Sequence, residues 1–218
     1  MHGVQVAFHP LQPGVCLSET TVARRAIDTR EATPLQHADH VALIEPGIAA
    51  RGGIWADFGS GSGAFTLALA DLLGPGTRIY SIDLDRRGLQ RQRSDLAKFF
   101  PDTELHSMLA DFTQSLDLPP LDGIVMANSL HFQREKDAVL RQILGYLKPG
   151  GRLILVEYNV DRGNRWVPYP LSYPTWEALS LRSGFAGTRL LATRPSRFLG
   201  EIYSAVSFRP TATTDLAR

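Results

Sequence analysis

Residues 54–65 read IWADFGSGSGAF, and the architecture of the chain can be read outward from them. Ile54 to Phe58 is a short apolar run bounded by glycine, and a helical pattern resumes at Ala64. A strand that ends in alternating glycines and runs directly into a helix turns sharply. It leaves the helix's first N–H groups unpaired beside the turn, which makes a cradle for a nucleotide-like ligand. Gly59, Gly61 and Ala64 also satisfy the G-x-G-x-x-G/A dinucleotide pattern, so the motif alone leaves the ligand open.

Toward the C-terminus, strand and helix patterns alternate. Strands are predicted at 54–58, 78–83, 104–109, 123–127 and 152–158, with helices at 64–73, 87–100 and 135–147, the last closed by the turn Lys148-Pro149-Gly150-Gly151. This order specifies an α/β domain with a parallel sheet and helices on both faces. A further helix is predicted at 175–183, followed by strand-like runs at 188–193 and 202–208 that form an antiparallel hairpin. N-terminal to the glycine motif, LQHADHVALIEPGI carries a helix stopped at Pro46-Gly47. Residues 1–34 lack sustained periodicity and are expected to form an arm, a candidate substrate cap, on a catalytic domain spanning 35–218.

Polar residues recur where these strands end. Asp57 closes the first, and Asp83, 26 positions later, closes the second, where a carboxylate can accept hydrogen bonds from both hydroxyls of a ribose. Asp111 and Phe112 follow the third strand and Asn128 the fourth. A single strand-end Asp is ordinarily a helix cap, but four such residues in register along one sheet edge mark the edge where open α/β sheets bind ligands.

These motifs make the chain similar to the class I S-adenosylmethionine-dependent methyltransferases over residues 35 to 209. They read ADFGSGSGAF, SIDLD, LADF, GIVMANSLHF and LKPGGRLILVEY. Within that class it most resembles the ubiquinone/menaquinone biosynthesis C-methyltransferase group. The resemblance implies a Rossmann-like, doubly wound, mostly parallel seven-stranded sheet with the hairpin as its last two strands. It also implies S-adenosylmethionine as cofactor, S-adenosylhomocysteine as product and a small-molecule methyl acceptor. Gly59, Ser60, Gly61 and Gly63 would pass close to the methionine moiety and ribose, with Asp57 holding the amino group directly or through water. Asp83 would bind the ribose, Leu84 would pack on the adenine, Asp111 and the backbone of Phe112 would read the ring, and the backbone of Asn128 would line the methionine end.

Other readings are weaker. An NAD(P)-dependent oxidoreductase would begin nearer its glycine motif, and a binding protein that has lost catalysis would share every motif. With 23 Lys and Arg against 22 Asp and Glu, no pull toward nucleic acid is expected. A base-flipping enzyme would carry Asn/Asp-Pro-Pro-aromatic where this chain has Asn128-Ser129-Leu130-His131. His37 and His40 flank Asp39 without a third ligand and read as a partly exposed helix face, so no metal site is expected. The single cysteine excludes an internal disulfide, and no signal-like or membrane-spanning run is present, so a cytoplasmic protein is expected.

The nearest candidate for a general base is His131, three residues past Asn128. Glu157 and Tyr158 end the fifth strand beside the expected pocket. The connection 159–174 is long for an α/β loop and holds Trp166, Tyr169 and Tyr173, so it is expected to act as a lid or substrate wall, with Trp166, Tyr169 and Tyr158 as substrate contacts.

Overall fold

The structure is a computed structural model that describes residues 36–211, so the expected arm lies outside the described residues. Its strands are β1 (Ile54–Phe58), β2 (Arg78–Asp83), β3 (Glu104–Leu109), β4 (Leu121–Ala127), β5 (Leu147–Tyr158), β6 (Ala186–Ser196) and β7 (Gly200–Phe208). The helices are α1 (His37–Ile44), α2 (Ala64–Leu73), α3 (Arg86–Phe99), α4 (Lys136–Tyr146) and α5 (Tyr173–Arg182), with a 3₁₀ turn at Leu130–Phe132. The sheet order is β3-β2-β1-β4-β5-β7-β6, parallel through β5, with β7 antiparallel to both β5 and β6. This is the mixed seven-stranded α/β sheet expected from the sequence.

Each face of the sheet buries its own core. On one side Leu43 and Ile44 of α1, Leu69 and Leu73 of α2 and Leu96 of α3 cover Trp55, Ile79, Val125 and Ile154. On the other, Leu140 and Ile143 of α4 and Trp176 of α5 cover Phe58, Ile82, Met126 and Leu155. Alternate residues of one strand therefore serve opposite faces, so both are apolar, as a fully covered parallel sheet requires. No helix among the described residues is long and apolar enough to cross a membrane.

Two local expectations are corrected. Lys148-Pro149-Gly150-Gly151, expected as a turn, belongs to β5. Leu147 pairs with Leu121, the ladder then shifts register before Gly123, and the Gly150 N–H donates to the Arg209 carbonyl. Gly150 has φ 76°, which lets a strand bend where the sequence reads as a stop. The helix before it ends without a glycine cap. The Arg209 guanidinium donates instead to the carbonyls of Leu144, Gly145 and Leu147. Tyr173 and Pro174, placed in the long connection by sequence, form the first turn of α5, where Ser172 is the N-cap and accepts from the Thr175 N–H.

The parallel registers align the C-terminal ends of β1, β2, β3, β4 and β5 along one edge. Phe58 pairs with Ile82, Asp83 with Leu109, and Ala127 with Val156. The chain leaves β1 into α2 on one face and leaves β4 toward α4 on the other, which opens a crevice between the two strand ends.

Candidate active site

A cavity of about 580 Å³ opens at this crevice, within the range of cofactor and small-molecule sites. The glycine loop (Gly59, Ser60, Gly61) forms one wall, Asp83, Leu84, Asp111 and Phe112 another, and Asn128 and Ser129 a third. The structure thus brings together most residues expected at a cofactor site. Gly63 serves from behind as the left-handed N-cap of α2, at φ 92°.

The loop is held tightly. Gly59 has φ 78°, and a Cβ there would lie 2.4 Å from the Ser129 Cβ, so only glycine lets the ends of β1 and β4 meet. Ser129 completes the contact by donating to the Phe58 carbonyl at 2.7 Å. Asp83 accepts the Gly61 N–H on Oδ2 and the Asp85 N–H on Oδ1, both at 2.7 Å. A carboxylate has about four acceptor positions, so each oxygen keeps capacity for a ribose hydroxyl. Asp111 spends Oδ1 on the backbone and hydroxyl of Thr113 and leaves Oδ2 for a ligand. Leu84 is 70 % exposed on the cavity wall, an apolar surface that a stacked ring would cover.

Asn128 departs from ordinary backbone geometry. It is the one non-glycine residue with positive φ among the described residues, at 52°, and its Oδ1 is buried without a partner there. Asn tolerates the left-handed region better than most residues, but such strain still costs about 1 kcal/mol and is characteristic of ligand sites.

Asp57 lies behind the wall. It is 1 % exposed, it is not a lining residue, and its Oδ2 accepts from the Thr66 hydroxyl at 2.7 Å. Burial raises its pKa to about 7, opposed by the Thr66 hydrogen bond and aided by the charge on Asp83. The folded-state value exceeds the unfolded one, so this group favours folding at low pH and loses that contribution as pH rises through about 7. Wild type should therefore lose stability relative to Asp57→Asn between about pH 4 and pH 7, measured by urea unfolding. A difference independent of pH would mean that Asp57 is ionised throughout.

His131 forms a buried pair. Its side chain is 3 % exposed and that of Glu157 0 %. The His131 backbone N–H donates to Glu157 Oε1 at 3.0 Å, and ring Nδ1 lies 2.8 Å from Oε2. A carboxylate only accepts, so Nδ1 carries the proton and Nε2 is left as the basic nitrogen, without a hydrogen-bond partner among the described residues. His131 does not itself line the cavity, but its ring packs 4.3 Å from that of Phe132, which does.

The substrate contacts expected from sequence are placed elsewhere. Trp166 is 63 % exposed beneath the Arg165 guanidinium, and neither it, Tyr169 nor Tyr158 lines the cavity. The connection is nevertheless docked. Val167 and Leu171 are buried, the Tyr169 N–H donates to the His131 carbonyl, and Lys136 Nζ donates to the carbonyls of Tyr169 and Gln133. Burial lowers the Lys136 pKa, against the opposing charge of Glu157.

Sequence reading passed over three participants. His40, expected on a partly exposed face, lines the cavity edge-on to Phe65 at 4.9 Å. Burial and then His37 lower its pKa. Its neighbour His37 bonds Asp71 instead, and no metal-holding group of three His, Cys, Asp or Glu exists among the described residues. Thr66 and Gln92 carry no motif signal. They are found only through what they touch.

Residues 56–153 match a family described as a methyltransferase domain. The cypemycin N-terminal methyltransferase of a Streptomyces species is 30 % identical over 146 residues, 62 % of this chain and 57 % of that protein. A ubiquinone/menaquinone biosynthesis C-methyltransferase of Pasteurella multocida is 28 % identical over 105 residues, 47 % of this chain and 39 % of its own. Residues 56–153 thus carry a methyltransferase-domain pattern, and the chain is similar to class I S-adenosylmethionine-dependent methyltransferases. It spans less than two thirds of either of these relatives' lengths. The fold of this methyltransferase domain is shared with a solved 1,6-didemethyltoxoflavin-N1-methyltransferase from Burkholderia thailandensis, described with S-adenosylhomocysteine bound. Its TM-score is 0.63 at 17 % identity, covering 80 % of this chain and 78 % of that one.

Proposed function

We propose that this domain methylates a small-molecule acceptor in the cytoplasm and that His131 takes the acceptor's proton. The observation that carries this is the buried Glu157–His131 pair with Nε2 unoccupied, set beside Phe132 at the rim of the cavity. S-adenosylmethionine, when bound, supplies an electrophilic methyl group and leaves as S-adenosylhomocysteine. The chain's own task is to align the acceptor, exclude water and remove a proton where the acceptor must lose one.

The residues fit that cofactor. Asp83 retains acceptor capacity for the ribose, Asp111 Oδ2 for the adenine amino group, and Leu84 offers an apolar surface to the ring. Gly59, Ser60 and Gly61 take the methionine end, and Asp57, buried behind them, is placed to hold its amino group through water rather than directly. Beyond the cofactor, His40, Phe132 and Gln133 remain on the cavity wall for the acceptor. Trp166 and Tyr169 lie on the segment that Lys136 ties to Gln133 of the cavity wall, and Tyr158 ends β5 with its ring 6.1 Å from that of His131, so acceptor contacts by these three would be made outside the cavity wall.

Calorimetric titration tests the cofactor, and transfer of a labelled methyl group to a panel of phenols, quinols, amines and carboxylic acids tests the reaction. S-adenosylhomocysteine should bind and raise the melting temperature while NAD and NADP do neither. Tight NAD binding without a response to the sulfur ligand would overturn the assignment.

A further inference from the structure

Helix α3 meets the glycine loop through a buried amide. Gln92 is 0 % exposed, rare for a residue type that is mostly at the surface. Its Oε1 accepts from the Ser81 hydroxyl at 2.6 Å. Its Nε2 donates to Ser60 Oγ at 3.0 Å and to the Gly61 carbonyl at 3.2 Å. Ser60 Oγ and Ser81 Oγ are 2.7 Å apart.

Counting protons fixes the direction of every bond. A hydroxyl has one hydrogen, and that of Ser81 is committed to Gln92, so Ser60 must be the donor to Ser81. The ring therefore runs one way, from Gln92 to Ser60 to Ser81 and back, and the second Nε2 hydrogen goes to Gly61. The Gly61 residue is gripped at both of its polar groups, its N–H by Asp83 and its carbonyl by Gln92. One turn earlier, a Cβ at Gly88 would lie 2.4 Å from that same carbonyl oxygen, so α3 approaches the loop as closely as a backbone can.

We propose that Gln92 is a positioning residue for the cofactor. It sets the orientation of the Gly61–Ser62 peptide and of the Ser60 hydroxyl, and thereby the wall that the methionine and ribose portions of the ligand meet. The amide does more than fill volume. An apolar side chain of the same length would occupy the space but would leave one hydroxyl hydrogen of the Ser60–Ser81 pair and the Gly61 carbonyl without their partner, and the loop would turn to satisfy them. The proposal rests on the cavity being the S-adenosylmethionine site.

The test is titration of S-adenosylhomocysteine into the full chain and its Gln92→Met, Gln92→Glu and Ser81→Ala variants, each well below its own melting temperature. Gln92→Met should bind about tenfold more weakly or worse, in a constant ratio to wild type across pH. Gln92→Glu should be weakened at least as much at about pH 8, where a carboxylate cannot donate to Ser60 or Gly61. It should recover toward wild type near pH 5.5, as the buried carboxyl regains a proton to donate. A role in packing alone predicts no such recovery. Ser81→Ala removes one hydroxyl from the ring and should show a smaller loss of the same kind, including where the Gln92 variants fail to fold. Folded variants with wild-type affinity, or a Gln92→Glu ratio flat with pH, would overturn the role of Gln92. Failure of wild type to bind S-adenosylhomocysteine would overturn the cavity assignment and the proposal with it.

Discussion

Replacing Asp83 with Ala should weaken S-adenosylhomocysteine binding by roughly 2 to 4 kcal/mol, a factor of about 30 to 900, while the protein stays folded. Two losses combine. The ribose hydroxyls lose a charged acceptor, and the Gly61 N–H loses the Oδ2 that holds it at 2.7 Å. Asp83→Asn separates the two, because its amide oxygen can still accept from Gly61 while the charge is gone. It should fall between wild type and Asp83→Ala. The carboxylate sits at the end of β2 and outside both apolar cores, so unfolding midpoints should move little. Affinity within a few fold of wild type in a folded Asp83→Ala protein would remove the ribose from this strand end.

The second large effect is expected at the buried pair. His131→Ala should lower methyl transfer by about 10²- to 10⁴-fold, the usual contribution of a general base, with S-adenosylhomocysteine affinity held within a few fold. Glu157→Gln is the sharper experiment. It keeps shape and removes a buried charge rather than stranding one, so the fold should survive. A glutamine has a single acceptor oxygen, whereas Glu157 accepts from both the backbone and the ring of His131. With the oxygen kept on the backbone N–H, the amide NH₂ faces Nδ1 and forces the ring proton onto Nε2. The base is then blocked without being displaced, and turnover should fall nearly as far as in His131→Ala. Full activity in Glu157→Gln would leave His131 a packing residue and point to an acceptor that needs no base.

What the sequence made legible follows from range. Asp83, Asp111 and Asn128 were visible because a strand end is a local event, marked by an apolar run that stops at a polar residue. The parallel register then carries each of them to the same edge. Gln92 was invisible because it acts across a helix–loop contact with residues 31 and 32 positions earlier, and Thr66 because its hydroxyl reaches from α2 back to a buried strand carboxyl that only the fold brings beside it. Helical spacing puts Gln92 on the same face as Leu89 and Leu96, but nothing in LQRQRSD says that this face meets the hydroxyl and carbonyl of the glycine loop. His40 is partly exposed as expected, but its place on the cavity wall was out of reach for a related reason. Helical periodicity gives the face a residue lies on, but not that this face borders a cavity formed by the loop after β1. The start of β5 was hidden by its own residues, since Pro149, Gly150 and Gly151 disfavour a strand locally. Pairing with Leu121 and Arg209 overrides that preference.

The place of β7 in the sheet bears on how the molecule is made. β7 is the last strand among the described residues, yet it lies between β5 and β6 and pairs with both. During synthesis β5 therefore presents an unpaired backbone edge, and β6 lacks a strand partner among the described residues, until residue 208 has been added. Assembly from the glycine motif through β5 can proceed as the chain emerges, but the sheet cannot close before translation of this region is complete. A chain released before β7 would leave the backbone groups of Arg152 to Tyr158 unpaired along an open edge. Aggregation of nascent fragments should accordingly begin once β5 has emerged and stop when β7 docks.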